Sequence, residues 1–412
     1  MNYVRTAALG VGLVVAGAAV SAPEQPVTGP VAEYWMSAAT TSGMAGMSSG
    51  GGRPDMQAMM SGGAVSHVLI LQLGSARHPD GGPPAAEHDP PQGLGAGPVL
   101  PLVTPTQQPS HQEAAPGPPS QYQQPHGKML IFWGCGEHAG PGQPFVIDFA
   151  TMATGGAQKF MDLQHALAIA PMQPPSPQRN ATYGEWPNAQ SNTTVPPQGS
   201  LQGDHTVKGN YTPDIHFSLT ADQDFLPPIQ MTANQRNPSG SATLGWRRVD
   251  GAQGYFADMI GAQGQDQVVM WTSSAVEASS FGLPDYLSDH EIARLVGSHV
   301  LMPADQTSCT IPQEAVQAAG HSGFYNLVGY GGETNLSYPE RPPAPQPWHI
   351  LWTVKVRYRS ATSGIVGMDM SHMGGGYGGQ GGQGGYGNQG QPPPQQQRPR
   401  PNPFNPFGGY LP

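Results

Sequence analysis

Proline and glycine divide this chain into short segments, and this limits its possible fold more than any other feature. Together, 57 glycines and 46 prolines make up a quarter of the 412 residues. They gather in stretches such as 78–127 and 374–412. Proline removes a backbone donor, and glycine loses much conformational freedom on ordering, so neither supports long helices or strands. We therefore expect short strands joined by turns, and a folded part shorter than the chain.

The first residues have the features of a secretory signal peptide. Arg5 precedes Ala7–Val20, an unbroken run of small apolar residues. This run is shorter than the roughly 20 apolar residues that cross a bilayer. We predict a signal peptide over 1–22, cut after Ala18 or Ala22, with no transmembrane segment after its removal. The expected location is secreted, periplasmic or at the cell surface.

The charge content argues for an exported protein and against a nucleic-acid partner. Only 11% of the residues are charged, where about 25% is usual for a soluble domain. The formal net charge is −10, and the 17 basic residues form no run. A nucleic-acid backbone is bound by clustered Lys and Arg, so we predict no nucleic-acid partner.

Composition and pattern divide the mature chain into four parts. The Met/Gly/Ser-rich start is expected to be flexible, and two parts carry strand patterns, the first with a Pro/Gln-rich insertion. The Gly/Gln/Pro-rich end cannot bury enough apolar surface to become ordered. The predicted parts are a flexible segment 23–64, a β-rich segment 65–170, a β-sandwich domain 211–365 and a disordered tail 366–412.

The third part has the clearest local patterns. Several short strands separated by turn signals predict a β-sandwich. Trp352 and Tyr358 mark the last strand, whose other face carries Lys355, Arg357 and Arg359. This basic face is typical of a solvated surface, although three cations in a row also suit an anionic surface such as a polysaccharide. Ser288 and Glu291 form a capping box, which predicts one short helix over 289–296.

Two short motifs in this part resemble a known module. Leu244-Gly245-Trp246 and the later Val249–Tyr255 resemble the segment from strand B to strand C of fibronectin type III modules. The resemblance covers 227–272. Cys135-Gly136-Glu137-His138 and the run Val354–Gly364 also resemble an uncharacterised family of secreted bacterial proteins, which implies no activity. The expected fold is therefore mainly β, a fibronectin-like or immunoglobulin-like β-sandwich with one short helix and long disordered flanks.

The two cysteines favour a disulfide. Cys135 and Cys309 are the only cysteines, and an even count in an exported chain indicates pairing. The alternative is two separate buried thiols. Neither residue has a CxxC partner, so zinc and thioredoxin-like chemistry are not indicated.

Methionine clusters indicate a possible copper site. Thioethers are soft ligands that select Cu(I), and the spacing near both ends of the folded part suits such a site. The alternative is that methionine fills apolar contacts. The candidate ligands are Met44, Met47, Met56, Met59, Met368, Met370, His372 and Met373. Copper is the only cofactor that the sequence suggests.

No catalytic motif occurs in a suitable setting. GxSxG and dinucleotide-type strings occur only within Gly-rich stretches, not between a strand and a helix, and no HExxH or P-loop motif is found. Our leading hypothesis is a non-enzymatic exported structural or surface-interaction protein, with surface or self-association through the tail. The alternatives are a periplasmic copper-binding protein that uses the methionine clusters, and an accessory domain of a polysaccharide-acting enzyme.

Overall fold

The computed structural model describes residues 25–48, 65–105, 127–150, 167–264, 266–277, 283–320 and 323–368. This part of the chain is mainly β, as predicted. None of its helices has the length and apolar content that a membrane span needs. The predicted signal peptide, residues 49–64 and nearly all of the tail lie outside the described residues.

Nineteen strands and three α-helices are described. The strands are β1 (Val27–Thr28), β2 (Ala32–Ser42), β3 (Ser66–Ser75), β4 (Ala86–Asp89), β5 (Leu100–Leu102), β6 (Lys128–Trp133), β7 (Phe145–Asp148), β8 (Thr182–Trp186), β9 (Gly203–Gly209), β10 (Ile215–Leu219), β11 (Met231–Arg236), β12 (Ala242–Trp246), β13 (Gly254–Gln263), β14 (Gln267–Thr272), β15 (Met302–Pro303), β16 (Ser308–Ile311), β17 (Phe324–Tyr338), β18 (Trp348–His349) and β19 (Trp352–Ile365). The helices are α1 (Gly43–Ser48), α2 (Asp289–Gly297) and α3 (Gln313–Ala319).

One large sheet organises the described part of the chain. Its order is β7–β6–β14–β13–β17–β19–β2–β3–β8, and β15 also pairs with β13. The pairs β14–β6 and β19–β2 are parallel, whereas the other pairs of this sheet are antiparallel. Three smaller sheets have the orders β11–β12–β16, β10–β9–β4–β5 and β1–β18.

Strand β2 corrects the prediction of a flexible segment over 23–64. It lies between β19 and β3 in the middle of the large sheet, and ten of its residues are buried. Its small polar side chains are satisfied there, because the Thr40 hydroxyl donates to the Leu226 carbonyl at 2.6 Å and Ser42 donates to Ile229 at 3.1 Å. A strand covered on both faces shows no alternation of apolar and polar residues.

Two further segments are more ordered than their composition suggests. The Pro/Gln-rich insertion contains β4 and β5, and Leu94, Leu100 and Leu102 are buried. The polar stretch after Pro171 contains β8, in which Tyr183 and Trp186 are buried. Leucine and aromatic side chains spaced among prolines supply enough apolar area to order these short elements.

The large sheet has two differently covered faces. The face that we call inner carries Tyr34, Tyr255 and Val356. It packs against the four-stranded sheet, where Tyr34 contacts His88, and against the three-stranded sheet, where Tyr255 contacts Trp246. Side chains alternate along a strand, so the neighbours of these residues point to the opposite, outer face.

The outer face is covered in part by helix α2. Ile292 and Leu295 of this helix pack against Phe256 and Val328 of the sheet. The N-cap role of Ser288 is confirmed, because the Glu291 amide donates to the Ser288 hydroxyl at 3.3 Å, while the Glu291 carboxylate accepts from Arg294 at 2.7 Å. The helix ends one residue later than predicted. The prediction of a single helix is wrong, because α1 and α3 are also present. Their sequences did not predict them, since both helices are too short to show a clear amphipathic period.

Candidate functional site

A groove lies on the outer face of the large sheet, beside the part that α2 covers. Its volume is about 420 Å³. It combines two tryptophans with side chains that donate and accept hydrogen bonds, and one carboxylate. The lining residues are Pro30, Glu33, Trp35, Gln173, Arg179, Asn335, Leu336, Ser337, Trp348, Thr353, Val354 and Lys355.

The floor of the groove is set by strand register. Lys355 of β19 lies between Trp35 of β2 and Asn335 of β17. Two residues earlier on β19, Thr353 lies between Glu33 and Ser337 by the same register. Directly paired residues lie on the same face of a sheet, so these six side chains form two adjacent rows.

The rim of the groove is held by backbone contacts. The Trp348 indole N–H donates to the Pro339 carbonyl at 2.9 Å, and the Arg341 guanidinium lies 5.6 Å from the centroid of the Trp348 ring. On the other side, Arg179 Nη1 donates to the carbonyl oxygens of Gln173 and Pro174. The rim is therefore positioned before any ligand arrives.

Cations and aromatic rings alternate along the outer face next to the groove. Lys355 Nζ and the Arg357 guanidinium each lie 5.2 Å from the Trp35 ring centroid. Arg357 and Arg359 lie 4.5 Å and 5.0 Å from the Tyr286 ring centroid. We call these five residues the cation–aromatic ladder. Cations are attracted to the negative faces of aromatic rings, which fixes the order of the ladder.

The cations of the ladder have carboxylate or hydroxyl partners. Lys355 pairs with Glu333, and Arg359 pairs with Asp285. Arg357 is only 2% exposed and donates to the Ser37 hydroxyl at 2.7 Å. Burial lowers the pKa of Arg359, but the interactions with Asp285 and Tyr286 raise it by a larger amount, so the pKa of Arg359 lies above its usual value. The prediction of a solvated basic face is therefore wrong. Tyr286 lies over Arg357 and Arg359, and Glu333 and Asp285 balance two of the three positive charges.

The cysteines are joined in a disulfide bond. Cys135 follows β6 of the large sheet, and Cys309 lies on β16 at the edge of the three-stranded sheet. The bond therefore links the two sheets, and the Gly136 amide supports it by donating to the Thr310 carbonyl at 2.8 Å. The sulfur atoms are not available as a nucleophile or as metal ligands.

The structure places part of each methionine cluster at the same end of the sheet. Met44 and Met47 lie on α1, directly after β2, and Met368 follows β19. Gly43 pairs with Ser363 in a parallel bridge, and α1 packs against β19. Met368 is 40% exposed. The other candidate ligands, Met56, Met59, Met370, His372 and Met373, lie outside the described residues.

A buried hydrogen-bonded chain connects the large sheet to the four-stranded sheet. His205 Nε2 donates to the Leu201 carbonyl at 2.7 Å, so in the neutral ring Nδ1 accepts from His88 Nε2 at 2.9 Å. His88 Nδ1 in turn accepts from the Tyr34 hydroxyl at 2.5 Å. Burial lowers the pKa of both histidines, and that of His88 more strongly. This chain is sealed from solvent and acts as an internal support.

Sequence reasoning missed the residues that form the groove. Trp35 and Glu33 were placed in the segment expected to be flexible, and Trp348 and Arg179 had no motif around them. One signal was present: no proline or glycine occurs between Val31 and Ser42, which marks an ordered element in this chain.

Comparisons with known proteins add no family. No protein-family model matches the chain, and no curated protein is significantly similar to it. Among the described residues, no group of three His, Cys, Asp or Glu side chains is placed to hold a metal ion.

Proposed function

We propose that this chain is an exported, non-enzymatic surface-interaction protein whose outer-face groove recognises a component of the cell envelope. The observation that carries the proposal is the groove itself: two tryptophans and a row of polar side chains held on a central part of a large sheet. Binding sites commonly combine aromatic walls with a few fixed polar groups. The signal peptide expected over 1–22 supplies the route to the envelope.

We also propose that 211–365 contains a fibronectin-like sandwich. In immunoglobulin-like folds, strands A, B and E share one sheet, and strand C lies beside F and G in the other. The orders β11–β12–β16 and β14–β13–β17–β19 match that arrangement when β12 is taken as strand B and β13 as strand C. Trp246 and Tyr255, from the motifs that suggested the module, meet between the two sheets.

Recognition is favoured over hydrolysis in the groove. Glycoside hydrolysis generally uses two carboxyl groups about 5–10 Å apart. Among the described residues that line the groove, Glu33 is the one carboxylate. The accessory domain of a polysaccharide-acting enzyme stays compatible with this site, because such a domain binds without cleaving.

Co-sedimentation with purified envelope fragments tests the proposal. Trp348→Ala is expected to weaken binding at least about tenfold, which is about 1.4 kcal/mol. Trp133→Ala is the matched control, since Trp133 is also half-buried but lies near the other edge of the sheet. Truncation after Met368 examines the tail separately. Binding that is lost on truncation but is unchanged by Trp348→Ala would reject the groove and favour the tail.

A second candidate function, copper binding, is favoured by one specific observation. Because β2 and β19 run parallel, Met44 and Met368 follow the same end of adjacent strands. Two methionines from distant parts of the sequence thus lie at the same end of the sheet, and thioether sulfurs are the soft ligands that Cu(I) prefers.

Competitive Cu(I) titration with a chelator tests this candidate. The double variant Met44→Leu, Met368→Leu is expected to weaken Cu(I) binding at least about tenfold. Met129→Leu is the control, because Met129 is also a methionine but is buried on β6, near the other edge of the large sheet. Equal affinities for the double variant and the control would reject copper binding by these two residues.

A further inference from the structure

We propose that the groove binds a segment of a neutral polysaccharide chain. This inference rests on the proposed function, since it names the class of ligand for the same site. The argument uses the aromatic walls, the charge balance and the kinds of hydrogen-bonding group that line the groove.

Trp348 provides the accessible apolar surface suited to a sugar ring, because it is half-buried on the rim. Trp35 lies in the floor and is only 8% exposed, with Lys355 and Arg357 against its ring. Aromatic side chains combine a large apolar area with a polar edge, so they suit ligands that are themselves apolar on one side and polar at the rim. Pyranose rings have this character, because their C–H bonds form flat apolar patches between hydroxyl groups.

The charges of the lining favour a neutral ligand. Lys355 is neutralised by Glu333, with side-chain exposures of only 19% and 12%. The remaining lining charges are one carboxylate, Glu33, and one guanidinium, Arg179. An anionic polymer would meet the unfavourable Glu33 and gain the exposed cations Arg179 and, on the rim, Arg341, whose attraction is screened by salt. The charges of the lining residues themselves therefore give no strong preference for an acidic chain.

The polar side chains match hydroxyl groups, which both donate and accept. Asn335 and Gln173 are exposed, and each amide supplies two donor hydrogens and one acceptor oxygen. Asn335 Nδ2 already donates to Glu333 at 3.1 Å, which orients the amide on the sheet. Ser337 and Thr353 add two hydroxyls on the floor.

The shape suits part of a chain rather than an enclosed small molecule. The volume of about 420 Å³ lies within the range of small-ligand sites. Gln173, Arg179 and Asn335 are all exposed, so the groove opens to solvent along its side. A polymer can lie across it with its ends outside, as an envelope polysaccharide would require.

Selective treatment of the envelope fragments tests the ligand class. The probes are untreated fragments, fragments oxidised with periodate, which cleaves sugar diols, and fragments digested with proteinase K. Untreated fragments are also assayed in about 1 M NaCl, where the Debye length is about 3 Å. We expect binding to fall at least about tenfold after periodate oxidation, and to change less than about twofold after digestion or in salt.

Each other outcome overturns the ligand class. Binding that survives periodate rules out a sugar chain that presents vicinal diols to the groove, loss after proteinase K identifies a protein partner, and loss in salt identifies an anionic polymer. Glu33→Gln serves as a second groove variant if Trp348→Ala folds poorly. If binding to untreated fragments does not depend on either groove residue, the proposed function itself fails, whereas periodate-insensitive binding that does depend on them removes only the polysaccharide.

Discussion

Arg357 and Trp35 lie on adjacent parallel strands, with the guanidinium 5.2 Å from the indole centroid. The same guanidinium lies 4.5 Å from the centroid of Tyr286. A charged side chain that is 2% exposed is thus held between two rings, one of which forms the floor of the groove. The ladder therefore couples the stability of the outer face to the shape of the candidate site.

Removing Arg357 is expected to destabilise the protein. Arg357→Ala deletes the ring contacts and the hydrogen bond to Ser37, and it leaves space between two large side chains. We expect the free energy of unfolding to fall by about 2–4 kcal/mol. Urea unfolding followed by near-ultraviolet circular dichroism measures the change. Arg247→Ala, at an exposed position, should stay within about 0.5 kcal/mol; equal effects of the two variants would contradict a structural role for the ladder.

Breaking the disulfide is expected to loosen the contact between the two sheets. Cys135 and Cys309 are 174 residues apart in sequence, so the bond restricts a long loop in the unfolded chain. Reduction should lower the free energy of unfolding by about 2–4 kcal/mol. The comparison is urea unfolding with and without dithiothreitol. The double variant Cys135→Ala, Cys309→Ala should not respond to the reductant, and an unchanged midpoint for the wild type would argue against the bond.

The Tyr255 hydroxyl is expected to stabilise the proposed fibronectin-like sandwich. It accepts a hydrogen bond from the buried Val249 amide at 2.8 Å. Tyr255→Phe leaves this amide without its acceptor, which should lower the free energy of unfolding by about 1–3 kcal/mol. Tyr338→Phe is the control, because Tyr338 is 52% exposed. Thermal and urea unfolding of both variants would decide, and no difference between them would remove this support for the module.

Stability is expected to fall as the pH drops below 6.5. Burial lowers the pKa of His88 and His205 in the folded protein below the usual 6.5, so the unfolded chain binds more protons at acidic pH. The slope is at most about 1.4 kcal/mol per pH unit for each histidine. Burial raises the pKa of Asp258 to about 6, and this carboxyl acts in the opposite direction.

Urea unfolding between pH 5 and pH 7 tests the opposing contributions of the two histidines and Asp258. These pH values lie about one unit below and one unit above the raised Asp258 pKa. The double variant His88→Gln, His205→Gln should show a flatter dependence on pH than the wild type, whatever its absolute stability. The exposed His78→Gln should retain the wild-type slope. A double variant as pH-dependent as the wild type would assign the effect to other groups.

The elements predicted correctly from sequence are those with local signals. Strand β19 was visible because Val354 and Val356 alternate with Lys355 and Arg357, and α2 because its cap is encoded by neighbouring residues. Strand β2 was missed, since it is buried on both faces and built from small residues that composition alone assigns to flexible segments.

The groove depends on pairings that no local pattern encodes. Trp35 and Lys355 are adjacent only because β2 and β19 pair in parallel, although they are far apart in sequence. Parallel neighbours need a long connection, and their register is set by the packing of the whole sheet. For the same reason, the ion pairs of Lys355 with Glu333 and of Arg359 with Asp285 could not be predicted from local sequence patterns.

The most direct test of the account is to observe the tryptophans while the ligand binds. Nuclear magnetic resonance of the indole N–H groups, with soluble polysaccharide extracted from the envelope, reports on each ring separately. The account predicts that the Trp348 signal shifts on addition of the polysaccharide, while those of Trp246 and Trp271, which are buried and do not line the groove, stay unchanged. Binding with an unshifted Trp348 signal would contradict the assignment of the groove as the recognition site.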